Sequence, residues 1–594
     1  MDSIFFDDQI TIPEEFPSIL KNYAKAAIKT NPPDLLAWSR KYFTALSKGE
    51  RPPARERLKF DKSQYPFLTV VSKEAKMAEK SLEQRLIENM SLNAIDHACA
   101  YTVYEKTHHP RLSKIVCTIG PATQSVEKLV ELMEAGMNVA RLNFSHGEYD
   151  YHGQTAANVR EAAKIVAKNK GLDSYPVAIA LDTKGPEIRT GLVEGDKFGE
   201  IELKKGSTVK LTTDDSYFDK CNSETVYIDY KNITKVIKEG NKIYMDDGQI
   251  TLIVKKVGGD WVECEVGNES KLGSEKGCNL PGIDTDLPAV SEKDKEDFAF
   301  GLELEVDYIF ASFIRNADGV KQIRKLLGDK GKHIWIIPKI ENDEGIQNFD
   351  EILEVSEAIM VARGDLGINI PTEKIFLAQK MMISKCNVAG KPVLCATQML
   401  DSMVQKPRPT RAEACDVANA ILDGADGVML SAESAKGQYA VECVTVQHKI
   451  THEAETVLNQ RVIFSDLLFR EVIPSHFDTC MAIAAVAASL KCLASAIIVL
   501  TKAGRAAYAI AKFRPRCPII MVTRSGTAFR QSQMWRAIYA FHYTEEMLPD
   551  YNEDVDARVQ YGIKNGMQLN ILKKDDPVII VSESTDTMRI INIE

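Results

Sequence analysis

From Lys114 onward the apolar positions alternate between two periods. Short apolar runs recur near 114–119, 137–143, 177–181, 307–312, 333–340, 358–362, 392–397 and 427–431, and most intervening stretches carry apolar residues at helical spacing. The stretch 333–367 shows this most clearly. Ile334 to Ile340 reads as strand, Ile346, Phe349, Ile352 and Leu353 as one helix, and Ala358 to Ala362 as strand. Eight strands joined by crossover helices predict an α/β chain built on a closed (β/α)8 barrel, with an open doubly wound sheet as the alternative.

Between 186 and 287 the texture changes. Short β-rich runs at 208–211, 225–228, 242–245, 251–254 and 261–266 are separated by Asp247-Gly248 and Gly258-Gly259 turns. A small β-barrel lid inserted into a barrel loop is expected. After 458 the alternation restarts with a helix over 478–490 and strands at 496–500, 518–522, 577–581 and 588–593, which predicts a separate C-terminal α/β domain. The barrel is then assigned 113–185 and 288–457, preceded by a helical segment at 78–112.

The first residues form a different pattern. Phe16, Ile19, Leu20, Tyr23, Ala24, Ala27 and Ile28 make one amphipathic helix; Leu35, Leu36, Trp38, Ser39, Tyr42, Phe43 and Leu46 make another. Two short helices cannot bury their apolar faces alone, so a docking and dimerisation module at 10–53 is expected, with a hairpin packed on its own chain as the alternative. A charged, weakly periodic linker covers 54–77. His108-His109-Pro110 is expected to be a solvated turn rather than a metal site.

Composition narrows the classes. The 594 residues are 44% hydrophobic and 27% charged, with a net charge of −10, which disfavours general nucleic-acid binding. Twelve scattered cysteines without a C-x-x-C pair point to reduced thiols. No run suits a membrane span, and the acidic N-terminus lacks a signal-peptide pattern; a cytoplasmic protein is expected.

Candidate chemistry gathers where the eight strands end. Strand two ends in Arg141-Leu142-Asn143-Phe144-Ser145-His146, strand three in Asp182-Thr183-Lys184-Gly185, strand five in Lys339 and Glu341. Strands six, seven and eight end in Arg363-Gly364-Asp365, Thr397-Gln398 and Ser431 with Glu433. Lys339 and Glu341 are two apart and so share a face. Barrel active sites form at this rim, and a lysine, arginines (Arg141, Arg189), carboxylates and hydroxyls suit phosphoryl transfer; a salt-bridged rim is the bland alternative.

From about residue 78 the sequence resembles the pyruvate kinase family. The motifs are C-T-I-G-P-A, M-N-V-A-R-L-N-F-S-H-G, A-L-D-T-K-G-P-E-I-R-T-G, K-I-E-N, I-M-V-A-R-G-D-L-G, C-A-T-Q-M-L and K-P-R-P-T-R-A-E. The resemblance implies phosphoryl transfer from phosphoenolpyruvate to ADP, giving pyruvate and ATP. It implies Mg2+ (or Mn2+) at Glu341 and Asp365, and K+ at Asn143, Ser145, Asp182 and Thr183, with Glu187 marking the K+-requiring form. Lys339 and Arg141 would be catalytic, and Arg141, Lys339, Gly364, Asp365 and Thr397 would bind substrate. Asn143, His146, Arg189 and Lys276 would lie near the nucleotide, and Thr397 and Ser431 would relay a proton to the enolate. A homotetramer is implied.

The pattern I-P-E-E-F-P-x-I-L-K-x-Y-x-K-A-A-I, followed by P-x-D-L-x-x-W-x-x-x-Y-F-x-A-L, resembles the docking-and-dimerisation domain of type II regulatory subunits of cyclic-AMP-dependent kinase. It is nearest to the ropporin-like members of cilia and sperm flagella. That implies an amphipathic helix of an anchoring or axonemal protein as partner, and a ciliary or flagellar location. A non-catalytic scaffold built on the same fold is the alternative to an enzyme. One departure concerns regulation. Thr501-Lys502-Ala503-Gly504-Arg505-Ala506 lacks the hydroxyls of the family's T-K-S-G-R-S-like phosphate loop, and the turn from Ser582 to Met588 is short and acidic. Activation by fructose 1,6-bisphosphate is therefore expected to be weak or absent.

Overall fold

The computed structural model describes residues 23–24, 35–48, 50, 94–99, 101, 103–104, 109–196, 198–583 and 587–593. The expected first helix apart from Tyr23 and Ala24, the linker, most of the helical segment at 78–112, His108 and residues 584–586 lie outside the described residues. The chain falls into two compact units, Met1–Lys80 and Ser81–Glu594.

In the first unit, helix Leu35–Ser47 buries Trp38 and Tyr42 against Tyr23, with ring centroids 5.8 and 5.3 Å apart, and Tyr23 shares a 2.5 Å hydrogen bond with Ser39. The same helix leaves Leu36, Phe43 and Leu46 exposed.

The second unit is organised by a closed parallel barrel. Its strands are β1 (Lys114–Thr118), β2 (Val139–Asn143), β3 (Ala178–Asp182), β4 (Tyr308–Ala311), β5 (Trp335–Ile340), β6 (Ile359–Ala362), β7 (Val393–Ala396) and β8 (Gly427–Leu430). Pairing of β1 with β8, Lys114 beside Gly427, closes the ring. Both faces are buried, which is why the runs are continuously apolar rather than alternating. Val139, Ala178, Ala180, Tyr308, Phe310, Ile337, Met360 and Leu394 fill the interior, while their neighbours Ala140, Ile179, Leu181, Ile309, Ile336, Val361 and Cys395 pack outward with the helices.

The insertion folds as a seven-stranded sheet plus a two-stranded ribbon, Glu200–Leu203 with Ser270–Gly273. The sheet's edges meet through an antiparallel bridge, Thr190 to Ile228, which curls it into a barrel. The C-terminal region forms a five-stranded sheet ordered Ile538–His542, Ile519–Thr523, Ala496–Leu500, Pro577–Ser582 and Thr587–Asn592, the last antiparallel.

Three sequence expectations need correction. The helix expected across Ile346 to Leu353 is two helices, Asp343–Gln347 and Phe349–Val355, because Asn348 donates to Arg315 O at 3.0 Å and breaks the run. His109 is not a solvated turn: it is half-buried, its ring 4.9 Å from that of His452, whose Nε2 contacts its carbonyl. Strand Ile538–His542 and helix Tyr551–Gln568 were absent from the sequence assignment.

The C-terminal region seals the bottom of the barrel. Met534 enters its interior cluster, Tyr308 donates to Gln531 O at 2.8 Å, and Arg530 pairs with Asp307 at 2.8 Å. Lys114, fully buried, donates to Ile538 O at 2.6 Å over the Tyr539 ring. Burial pulls its ammonium down to about 7; Arg111 adds to this and Glu455 opposes it. A lysine lowered in the folded state costs stability in full below the folded value, and the cost vanishes above the ordinary range of about 10.4. Lys114→Met is therefore expected to gain in melting temperature over the parent at about pH 6 and to lose that advantage toward about pH 9. Thermal unfolding at both values checks this; a pH-independent difference would contradict it.

Candidate active site

The inward period that fills the barrel continues past the apolar layers and turns polar at the mouth. Val139 is followed on the same face by Arg141 and Asn143, Ala180 by Asp182, Phe310 by Ser312, and Ile337 by Lys339 and Glu341. Charges there are buried, so each must be paired. Arg141 Nε donates to Asp182 Oδ2 at 2.6 Å and its Nη1 to Thr118 Oγ1 at 2.8 Å. Lys339 Nζ lies 3.3 Å from Asp182 Oδ1, 3.0 Å from Glu341 Oε1 and 2.9 Å from Ser312 Oγ.

The electrostatics follow from this web. Burial opposes the charge on Lys339, but Asp182 and Glu341 outweigh it and hold the ammonium above the ordinary lysine value. Burial likewise opposes ionisation of Asp182, and Arg141 and Lys339 overcome it. Glu341 goes the other way. Burial pushes it up to about 7 and Asp365 adds to this, against the pull of Lys339 and the Phe313 N–H. Asp365 is raised by burial, with Glu187 and Asp247 adding and Lys339 opposing. For both carboxylates, burial and neighbouring negative charge thus outweigh the pull of Lys339. The Asn369 amide ties their backbones, donating to Glu341 O at 3.0 Å and Asp365 O at 2.9 Å.

Among the described residues no group of three or more His, Cys, Asp or Glu side chains is placed to hold a metal. Two hard carboxylates fit an octahedral cation that keeps further positions for water and substrate. Asn143, Ser145, Asp182 and Thr183 offer only hard oxygens, the donor chemistry of a hard monovalent ion. Asn143 Oδ1 accepts the Ser145 N–H at 3.2 Å, and Thr183 Oγ1 accepts the Ser312 N–H at 3.0 Å.

Thr397 and Gln398 have φ of 76° and 54°, left-handed backbone that costs energy outside glycine. Arg363 holds this turn: Nη2 donates to Thr397 O at 2.7 Å while the guanidinium forks onto both Asp416 oxygens at 2.7 Å. A Cβ on Gly364 would lie 2.9 Å from Thr397 Cγ2, so glycine is what lets the two approach. Ser431, on the neighbouring strand's end, donates its N–H to Glu433 at 2.7 Å.

A cleft of about 400 Å³ opens between the barrel mouth and the insertion. His146, Glu187, Arg189, Lys276 and Asp365 line it; Thr397 and Ser431 do not. Arg189 pairs with Glu187 and donates to Glu275 O at 2.7 Å, and Lys276 pairs with Asp246 at 3.0 Å. Burial lowers the pKa of His146, and Arg189 and Arg141 add to the effect, all favouring the neutral ring. Ser312, Phe313 and Asn369 were not singled out in the sequence, and Asp247 only as part of a turn. For Ser312 a signal existed: it continues the inward alternation of Tyr308 and Phe310.

In the C-terminal sheet, the loop Thr501 to Arg505 wraps a carboxylate of its own chain. Glu583 accepts from the Thr501 hydroxyl and from the Lys502 N–H at 3.1 Å, and Arg505 approaches at 3.5 Å.

The family model "Pyruvate kinase, barrel domain" matches residues 110–444, and "Pyruvate kinase, alpha/beta domain" matches 479–591. The chain belongs to the pyruvate kinase family. Pyruvate kinase PKLR of Homo sapiens is 50% identical over 519 residues, covering 86% of this chain and 90% of that protein. The pyruvate kinase of Schizosaccharomyces pombe is 51% identical over 474 residues, covering 79% and 91%. That of Leishmania mexicana is 45% identical over 491 residues, covering 82% and 96%. The "Ropporin N-terminal domain" model matches residues 1–50, so this family member carries a second recognisable module ahead of its catalytic region.

Proposed function

We propose that the barrel mouth transfers the phosphoryl group of phosphoenolpyruvate to ADP, giving pyruvate and ATP. The observation that carries this reading is Lys339: a buried ammonium held charged by Asp182 and Glu341, within hydrogen-bond reach of Ser312. Positioning and charge neutralisation dominate phosphoryl transfer. Lys339 and Arg141 place fixed positive charge where the phosphoryl oxygens gain negative charge in transit. Gly364, Asp365 and Thr397 bind the phosphoenolpyruvate carboxylate end, while Asn143, His146, Arg189 and Lys276 lie toward the nucleotide. As the phosphorus–oxygen bond to the enol breaks and the bond to the ADP oxygen forms, the enolate takes a proton through the Thr397 and Ser431 hydroxyls. Glu341 and Asp365 would hold Mg2+ or Mn2+, and Asn143, Ser145, Asp182 and Thr183 would hold K+. When bound, these ions supply the positive charge that neutralises the substrate phosphates. The insertion covers the cleft and keeps water from the phosphoryl group.

The residues before 54 anchor this enzyme. Leu36, Phe43 and Leu46 stand exposed beside Arg40 and Lys41, an apolar strip with a basic margin suited to an amphipathic helix of an anchoring or axonemal protein. A homotetrameric enzyme in the cytoplasm, held in a cilium or flagellum by this module, is the arrangement proposed. Among the described residues no helix is long and apolar enough to cross a membrane.

Lys339→Met is expected to lower kcat by roughly 10²- to 10³-fold or more while the protein stays folded, measured by a coupled assay with Mg2+ and K+ and by circular dichroism. Near-parental turnover would sink the assignment. Removing residues 1–53 is expected to release the protein from a flagellar or ciliary fraction with its rate unchanged; retention in that fraction would contradict the anchoring role. Because Glu583 occupies the Thr501 loop, fructose 1,6-bisphosphate is expected to leave the half-saturating phosphoenolpyruvate concentration unchanged, and a large saturable drop would overturn this.

A further inference from the structure

Three acceptors surround the Lys339 ammonium, and they have unequal claims on it. Glu341 is one of the two carboxylates assigned to the divalent cation, and its Oε1 lies 3.0 Å from Lys339 Nζ. An oxygen engaged by an ammonium is a poorer metal ligand, so the lysine competes with the cation for Glu341. Ser312 Oγ, at 2.9 Å, offers the lysine another acceptor. Its proton has acceptors of its own, Thr183 O at 2.6 Å and, more distantly, Asp182 Oδ1 at 3.3 Å, which leaves a lone pair for Lys339. The Ser312 N–H is fixed on Thr183 Oγ1 at 3.0 Å. Phe313, with φ of 56°, then donates its N–H to the other Glu341 oxygen at 2.7 Å. One two-residue turn therefore grips both members of the ion pair, the lysine by a hydroxyl and the carboxylate by an amide. No side chain from residue 185 intrudes, since a Cβ on Gly185 would lie 2.8 Å from Ser312 Cβ.

We propose that Ser312 is a positioning residue that draws the Lys339 ammonium away from Glu341, freeing that carboxylate for the divalent cation while the lysine stays aimed into the barrel mouth. This rests on the reading of Glu341 and Asp365 as the cation's ligands. Without the hydroxyl the ammonium keeps Asp182, at 3.3 Å, and the nearer Glu341, and the ion pair tightens at the cation's expense.

The test is direct Mn2+ titration of the full chain without substrates, by calorimetry, for the parent, Ser312→Ala, Ser312→Thr and Glu341→Gln, with circular dichroism as a folding check. Ser312→Ala is expected to bind Mn2+ about 10- to 100-fold more weakly, and Ser312→Thr, which keeps the hydroxyl, to restore parental affinity. The kcat deficit of Ser312→Ala should shrink as Mn2+ is raised, which a merely structural role would not produce. Should the alanine variant not fold, Ser312→Cys keeps the volume with a poor sulfur acceptor and is expected to show the same loss. A folded Ser312→Ala with parental Mn2+ affinity, or a threonine variant as weak as alanine, overturns the proposal. Weak binding by Glu341→Gln beside parental binding by Ser312→Ala removes this proposal alone; parental binding by Glu341→Gln removes the cation-site reading and the proposal with it.

Discussion

Asp182 carries the mouth of the barrel. It is the one fully buried carboxylate to which both Arg141 and Lys339 are bound, through different oxygens. Inside a closed barrel an unpaired charge is far from water, and stripping one partner from a buried pair costs about 3–5 kcal/mol. The two cations are thus held at defined places by one anion, and Lys339 hands the linkage on to Glu341. Arg141 and Lys339 share Asp182, while Glu341 has only its contact with Lys339 against the nearby Asp365 carboxylate. Under the proposed phosphoryl transfer, the first group would meet phosphate oxygens and the second a hard cation.

The remaining elements make such a mouth possible. At the opposite end the barrel is closed by hydrocarbon and by Met534, with the Asp307–Arg530 pair at its margin. A sealed bottom leaves the charged layers open in one direction only, toward the cleft below the insertion. There the cationic side chains already have partners, Arg189 with Glu187 and Lys276 with Asp246.

The same logic of internal partners appears at the far end of the chain. Glu583 sits among the donors of the Thr501 loop, so a site with the makings of an anion cradle is satisfied by its own sequence. The N-terminal unit shows the reverse, with aromatic rings satisfied around Tyr23 and apolar side chains left facing outward.

The order of residues alone was enough to read the eight barrel strands, because a strand buried on both faces is apolar throughout and stands out from its flanking helices. It was also enough to mark Arg141, Asp182, Lys339, Glu341 and Asp365 as candidates, since each ends such a run with a charge. The break at Asn348 escaped, because its cause is the Arg315 carbonyl, 33 residues away in the chain. Strand Ile538–His542 escaped because its apolar run is broken by the half-buried Tyr539 and His542, unlike the fully buried strands beside it. Ser312 and Glu583 take their meaning from Lys339 and Thr501, at separations of 27 and 82 residues. Local pattern reports whether a position is buried and on which face it lies. Which polar atom meets which is decided by the register of strands that the chain brings together only when it folds.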